Sequence, residues 1–156
     1  MCGLVAIHSS SSNLKKRKSV INDMLNSIAH RGPDGKGFLE IEGQAILGHC
    51  RLAIIDFENG AQPMLSNDDR YSLVYNGEIY NFLELRQSLS KHGHQFNTLS
   101  DTEVLLNILI SEGVSGISKL NGMFAFIFHD RHKNEWIAAR DHFGIKPLYY
   151  TKSNHN

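Results

Sequence analysis

Strand-like and helix-like runs in this chain come in clusters instead of strict alternation, and that order constrains the fold more than any other feature. The chain opens Met1-Cys2-Gly3-Leu4-Val5-Ala6-Ile7, an apolar run that reads as a buried strand. The polar stretch 9–13 reads as a turn. Val20, Ile21, Met24, Leu25 and Ile28 then recur at helical spacing, and His30-Arg31-Gly32-Pro33 ends that helix. Short β-like runs follow at 38–41, 45–55 and 71–75. Phe82, Leu85, Arg86 and Leu89 mark a second helix ending near Gly93, and a third starts at Ser100, which with Glu103 has the spacing of a capping box. Its Val104, Leu105, Ile108 and Leu109 face a core. The runs 123–128 and 135–139, joined by polar residues 130–134, predict a hairpin, and Tyr149 with Tyr150 suggests one more strand. With no regular βαβ repeat, the pattern calls for an α+β fold of antiparallel sheets layered with helices.

Size and charge narrow the function classes. A chain of 156 residues buries enough surface for one independent core. Sixteen basic and sixteen acidic residues balance, so no global field recruits nucleic acid or an anionic membrane. The run Lys15-Lys16-Arg17-Lys18 reads as the solvated start of the first helix. No apolar stretch approaches the roughly 18 residues of a transmembrane helix and no signal peptide is evident, so the expected location is the cytoplasm. Cys2 and Cys50 are too few for a disulfide framework.

Several positions can carry chemistry. Removal of Met1 gives Cys2 both a thiol and a free α-amine, and an α-amine of reference pKa about 7.7 to 8.0 can take the thiol proton at neutral pH. The alternative is a retained Met1 and an inert cysteine. Asn76-Gly77 reads either as a hairpin turn or as the exposed end of a strand. In the second case the Asn76 amide and a main-chain N–H side by side form an oxyanion hole. Arg51, in an apolar run, is an exposed-face residue or a carboxylate clamp. Asp101, just after a cap residue, suits the N-terminal dipole of a helix. Nine histidines include His92-x-His94 and His129-x-x-His132, but neither pair belongs to a recognisable ligand constellation, so no metal is expected.

Together the segments resemble the class II glutamine amidotransferases, and within them the glutaminase domain of asparagine synthetase. The resemblance is carried by Cys2-Gly3, His30-Arg31-Gly32-Pro33-Asp34-Gly35, Arg51-Leu52-Ala53-Ile54-Ile55-Asp56 and Gly60-Ala61-Gln62-Pro63. It continues through Tyr75-Asn76-Gly77-Glu78-Ile79-Tyr80-Asn81, Ser100-Asp101-Thr102-Glu103-Val104 and Arg140-Asp141-His142-Phe143-Gly144-Ile145-Lys146-Pro147-Leu148-Tyr149-Tyr150. It implies a single domain over 1–156 with a four-layer αββα N-terminal-nucleophile sandwich, truncated at its C-terminal side. It also implies that Cys2 attacks the side-chain amide of glutamine, with Asn76 and Gly77 as oxyanion donors, Arg51 on the substrate carboxylate, and Glu78 and Asp101 on its α-ammonium. The turn His30 to Gly35 is expected to support the nucleophile from behind. ATP and Mg²⁺ would belong to a synthetase domain or subunit that receives the ammonia, and this chain itself would hold no cofactor. A glutaminase serving another acceptor, and an inactive glutamine-binding remnant, are the other readings that the resemblance allows.

Overall fold

The computed structural model describes residues 1–8, 14–41 and 45–152, so the turn expected over 9–13 lies outside them. Two antiparallel sheets form its centre. The first has strand order β1-β3-β2, made of β1 (Gly3–His8), β2 (Gly35–Ile41) and β3 (Ala45–Arg51). The second has the order β4-β5-β6-β7, made of β4 (Met64–Leu65), β5 (Tyr71–Ile79), β6 (Gly122–Asp130) and β7 (Glu135–Arg140). Helix α1 (Leu14–Ser27) covers the first sheet; α2 (Phe82–Lys91) and α3 (Asp101–Glu112) cover the second.

Strand alternation builds the four layers. In β1 and β3, Val5, Ile46 and Cys50 pack on Ile21 and Leu25 of α1. Their neighbours Leu4, Ala6, Ala45 and Leu47 turn the other way and meet Val74, Ile127 and Trp136 of the second sheet. On that sheet the opposite parity, Leu73, Tyr75, Ile79, Phe124, Phe126 and Phe128, packs on Val104, Leu105, Ile108 and Leu109 of α3. A slip of one residue in any of these strands would exchange the two faces, so burial on both sides fixes the register. That register pairs Gly3 with Cys50 and Gly77 with Phe124.

The helices and the 123–128/135–139 hairpin form where expected, but four local expectations fail and a fifth is met in half. The run 45–55 ends as a strand at Arg51 and continues as a loop. Strand β5 passes through Asn76-Gly77 to Ile79, so that dipeptide is neither a turn nor a strand end. Residues Tyr149 and Tyr150 form no strand and are exposed. In the basic run, Arg17 is buried while Val20, expected in the core, is 41% exposed. The capping box is half made. Ser100 Oγ accepts from Glu103 N–H at 3.3 Å, but the Glu103 carboxylate accepts from the Asn97 and Thr98 amides at 2.8 and 2.7 Å instead of reaching Ser100. No helix among the described residues is long and apolar enough to cross a membrane.

Candidate active site

Cys2 immediately precedes β1, and alternation puts it on the face of Leu4 and Ala6, between the sheets. Both sides of the residue are held. Leu52 N–H donates to Cys2 Sγ at 3.3 Å, a contact that strengthens when the sulfur carries negative charge. Arg31, in the 3₁₀ turn Ala29–Arg31 that follows α1, donates from Nε to the Cys2 carbonyl at 3.0 Å. The expected support from the His30 to Gly35 turn is thus made by Arg31, and by Asp34, whose carboxylate accepts Ala53 N–H at 2.9 Å just beyond Leu52. Cys50 faces α1 instead and donates to Leu25 O; burial pushes its thiol pKa up.

The second sheet supplies the facing wall. Asn76 and Glu78 have the parity that points toward the first sheet, whereas Gly77 presents its main chain. In this antiparallel ladder Phe124, opposite Gly77, directs its N–H and C=O to Asp141 on the β7 side. Gly77 therefore sends its own N–H to the outer edge of β5, where the two-residue β4 no longer reaches. Only glycine fits there: a Cβ would come within 2.3 Å of Met123 O and 2.8 Å of Phe124 Cα.

One open cleft is lined by Cys2, Arg51, Asn76, Gly77, Glu78 and Asp101, all six residues singled out from the sequence. Arg51 contributes in a way that its motif did not disclose. Its Nη1 donates to Phe57 O at 2.9 Å, and its Nη2 to Ile55 O at 3.3 Å and to Asp56 O, so three of its five hydrogens pin the 55–57 loop. An end-on bidentate grip on a carboxylate requires it to exchange a loop carbonyl for a carboxylate oxygen. Gly60 makes room for the guanidinium, since a Cβ there would lie 2.5 Å from Nη2.

Asp101 sits at the first turn of α3, as its cap position predicts, and is buried. Its Oδ2 accepts from Tyr75 O–H at 2.8 Å and from Ile79 N–H at 3.1 Å. Burial raises its pKa, and these hydrogen bonds oppose the rise. Sequence reasoning passed over His49, Gln62, Tyr75 and Lys146. Lys146 is buried at the cleft wall, its Nζ 3.0 Å from Met1 Sδ. The motif segments that contain Gln62, Tyr75 and Lys146 were visible, but the contact between Gln62 and Tyr75 depends on which strand edge is left open.

Two antiparallel sheets between helical layers, with a cysteine heading the first strand, have the architecture of the N-terminal-nucleophile hydrolases. The solved glutamine phosphoribosylpyrophosphate amidotransferase from B. subtilis matches it with a TM-score of 0.64 at 25% identity, over 90% of this chain and 36% of that one. A glutamine amidotransferase domain model matches residues 1–156, and the chain belongs to that family. Curated relatives include asparagine synthetase [glutamine-hydrolyzing] 1 of Bacillus subtilis, 44% identical over 99% of this chain and 24% of its own length. A probable asparagine synthetase [glutamine-hydrolyzing] of Schizosaccharomyces pombe is 42% identical over 96% of this chain and 26% of its own length. The chain thus spans about a quarter of the length of these relatives.

Proposed function

We propose that residues 1–156 form one glutaminase domain, in which Cys2, freed of Met1, hydrolyses glutamine to glutamate and ammonia. The observation that carries this reading is the convergence of Cys2, Arg51, Asn76, Gly77, Glu78 and Asp101 on one cleft from four separate segments of the chain. The α-amine of Cys2 takes the thiol proton, and Sγ attacks the side-chain carbonyl carbon of glutamine. Asn76 Nδ2 and Gly77 N–H receive the negative oxygen. The ammonium so formed gives its proton to the leaving nitrogen, ammonia departs, and a thioester remains. Water, deprotonated by the same amine, attacks the thioester, and collapse returns the proton to sulfur as glutamate leaves.

Arg51 and the pair Glu78 and Asp101 suit the two ends of an α-amino acid, one anionic and one cationic. Relatives 44% and 42% identical are named as asparagine synthetases, which favours an acceptor site that uses ammonia to make asparagine from aspartate. ATP and Mg²⁺ belong to that acceptor half, and none of the steps above uses them. The test is an ammonia and glutamate assay on the chain and on Cys2→Ala. Equal release by both would overturn the proposal; a folded, glutamine-binding and silent Cys2→Ala protein would support it.

A further inference from the structure

We infer that His49 and Gln62 are positioning residues for the oxyanion donors, acting through the main chain of Tyr75; the inference rests on the glutaminase reading above. Strand β4 pairs with β5 only at Ser72 and Leu73. Past that point no strand among the described residues lies beside the outer edge of β5, and its buried main-chain groups need other partners. Tyr75 N–H donates to Gln62 Oε1 at 2.7 Å. His49 Nε2 lies 3.0 Å from Tyr75 O and, facing a carbonyl, carries the hydrogen and donates it. Four residues further on, Ile79 N–H is taken by Asp101. Gly77 lies midway between these two clamps, with its own N–H turned to the cleft.

The two side chains come from different layers, and this gives the clamp its purpose. His49 lies on β3 directly opposite Leu4, two residues from the nucleophile. Gln62 comes from the loop before β4, and its Nε2 reaches Thr102 Oγ1 of α3 at 3.4 Å. The nucleophile belongs to one sheet and the oxyanion donors to the other, and apolar packing between sheets is non-directional. The His49 to Tyr75 hydrogen bond is a directional tie across that gap, and catalytic geometry loses rate steeply when displaced by about 1 Å. Burial, with Arg51 nearby, lowers the His49 pKa to about 4, so the ring remains neutral and its Nε2–H stays a donor to Tyr75 O around neutral pH.

Comparison of His49→Gln with His49→Asn tests this without emptying the site. Glutamine places an amide nitrogen near the position of Nε2, whereas asparagine falls short of Tyr75 O. Expected for His49→Gln is kcat within about threefold of the unmodified chain. For His49→Asn and Gln62→Met we expect kcat to fall about tenfold or more, the scale of losing one hydrogen bond, with KM within about twofold. Alkylation of Cys2 by iodoacetamide, which builds no oxyanion, should keep its rate in every variant. Unchanged kcat in both His49→Asn and Gln62→Met would overturn the inference alone. Equal losses in His49→Gln and His49→Asn, or slowed alkylation, would reduce the contacts to general packing and overturn it too. No glutamine hydrolysis by the unmodified chain would instead overturn the reading on which it rests.

Discussion

In the proposed mechanism Asn76 and Arg51 meet the same substrate for different reasons, and kinetics should separate them. An oxyanion exists only during reaction, so Asn76→Ala should lower kcat by about 10² to 10³ with little change in KM. A carboxylate is present before and after, so Arg51→Ala should chiefly raise KM. Gly60→Ala should do the same by displacing the guanidinium, although residue 60 touches no substrate in this scheme. Steady-state glutamine kinetics check all three, and a Gly60→Ala protein with normal KM would separate the loop from substrate binding. That Cys2, Asn76 and Gly77 share one cleft was legible in the sequence through the motifs that carry the resemblance. The loop-pinning role of Arg51 was not, because its partners are carbonyls of residues 55–57, whose direction depends on the backbone path. For Asp101 the sequence disclosed the helix start but not the bonds from Tyr75 and Ile79, which tie it to β5.

At the scale of elements, the turn after β7 depends on one carboxylate. Burial would raise the pKa of Asp141, but the amides of Lys146, Ile145, Phe124 and Phe143 donate to it and hold it down at about 2. A carboxylate depressed in the folded state contributes stability above its unfolded value of about 3.9, and that contribution is lost as pH falls from there toward about 2. Asp141→Asn should therefore lower the Tm by about 5 to 10 °C at pH 7, and the difference should shrink across that acid window. Thermal scans at several pH values measure it, and a pH-independent difference would contradict the assignment. The hairpin of β6 and β7 was legible because hydrophobic runs and a polar connection agree. The course of β5 through Asn76-Gly77 was not, since a local turn preference was overridden by close packing of Gly77 on β6. Tyr149 and Tyr150 failed in the opposite sense: β propensity forms no ladder where neither sheet runs alongside.

For the whole molecule, the sandwich brings the start of the chain, the loop after β3, the C-terminal part of β5 and the start of α3 to one end of the sheets. Clustered elements made the layered architecture legible, and joint motifs made the cleft residues legible. How the two sheets are tied to each other was not, since His49 is an ordinary strand residue until Tyr75 O is placed beside its ring. Because none of the proposed steps involves ATP, the chain should release ammonia from glutamine at the same rate with or without ATP-Mg²⁺, and should form no asparagine from aspartate. In the proposed mechanism everything turns on the free α-amine of Cys2 acting as the base. Intact mass and ammonia release measured on the same preparation, before and after aminopeptidase treatment, test it most directly. Turnover should rise in proportion to the fraction of molecules beginning at Cys2; equal turnover per molecule in protein that retains Met1 would rule the amine out as the base.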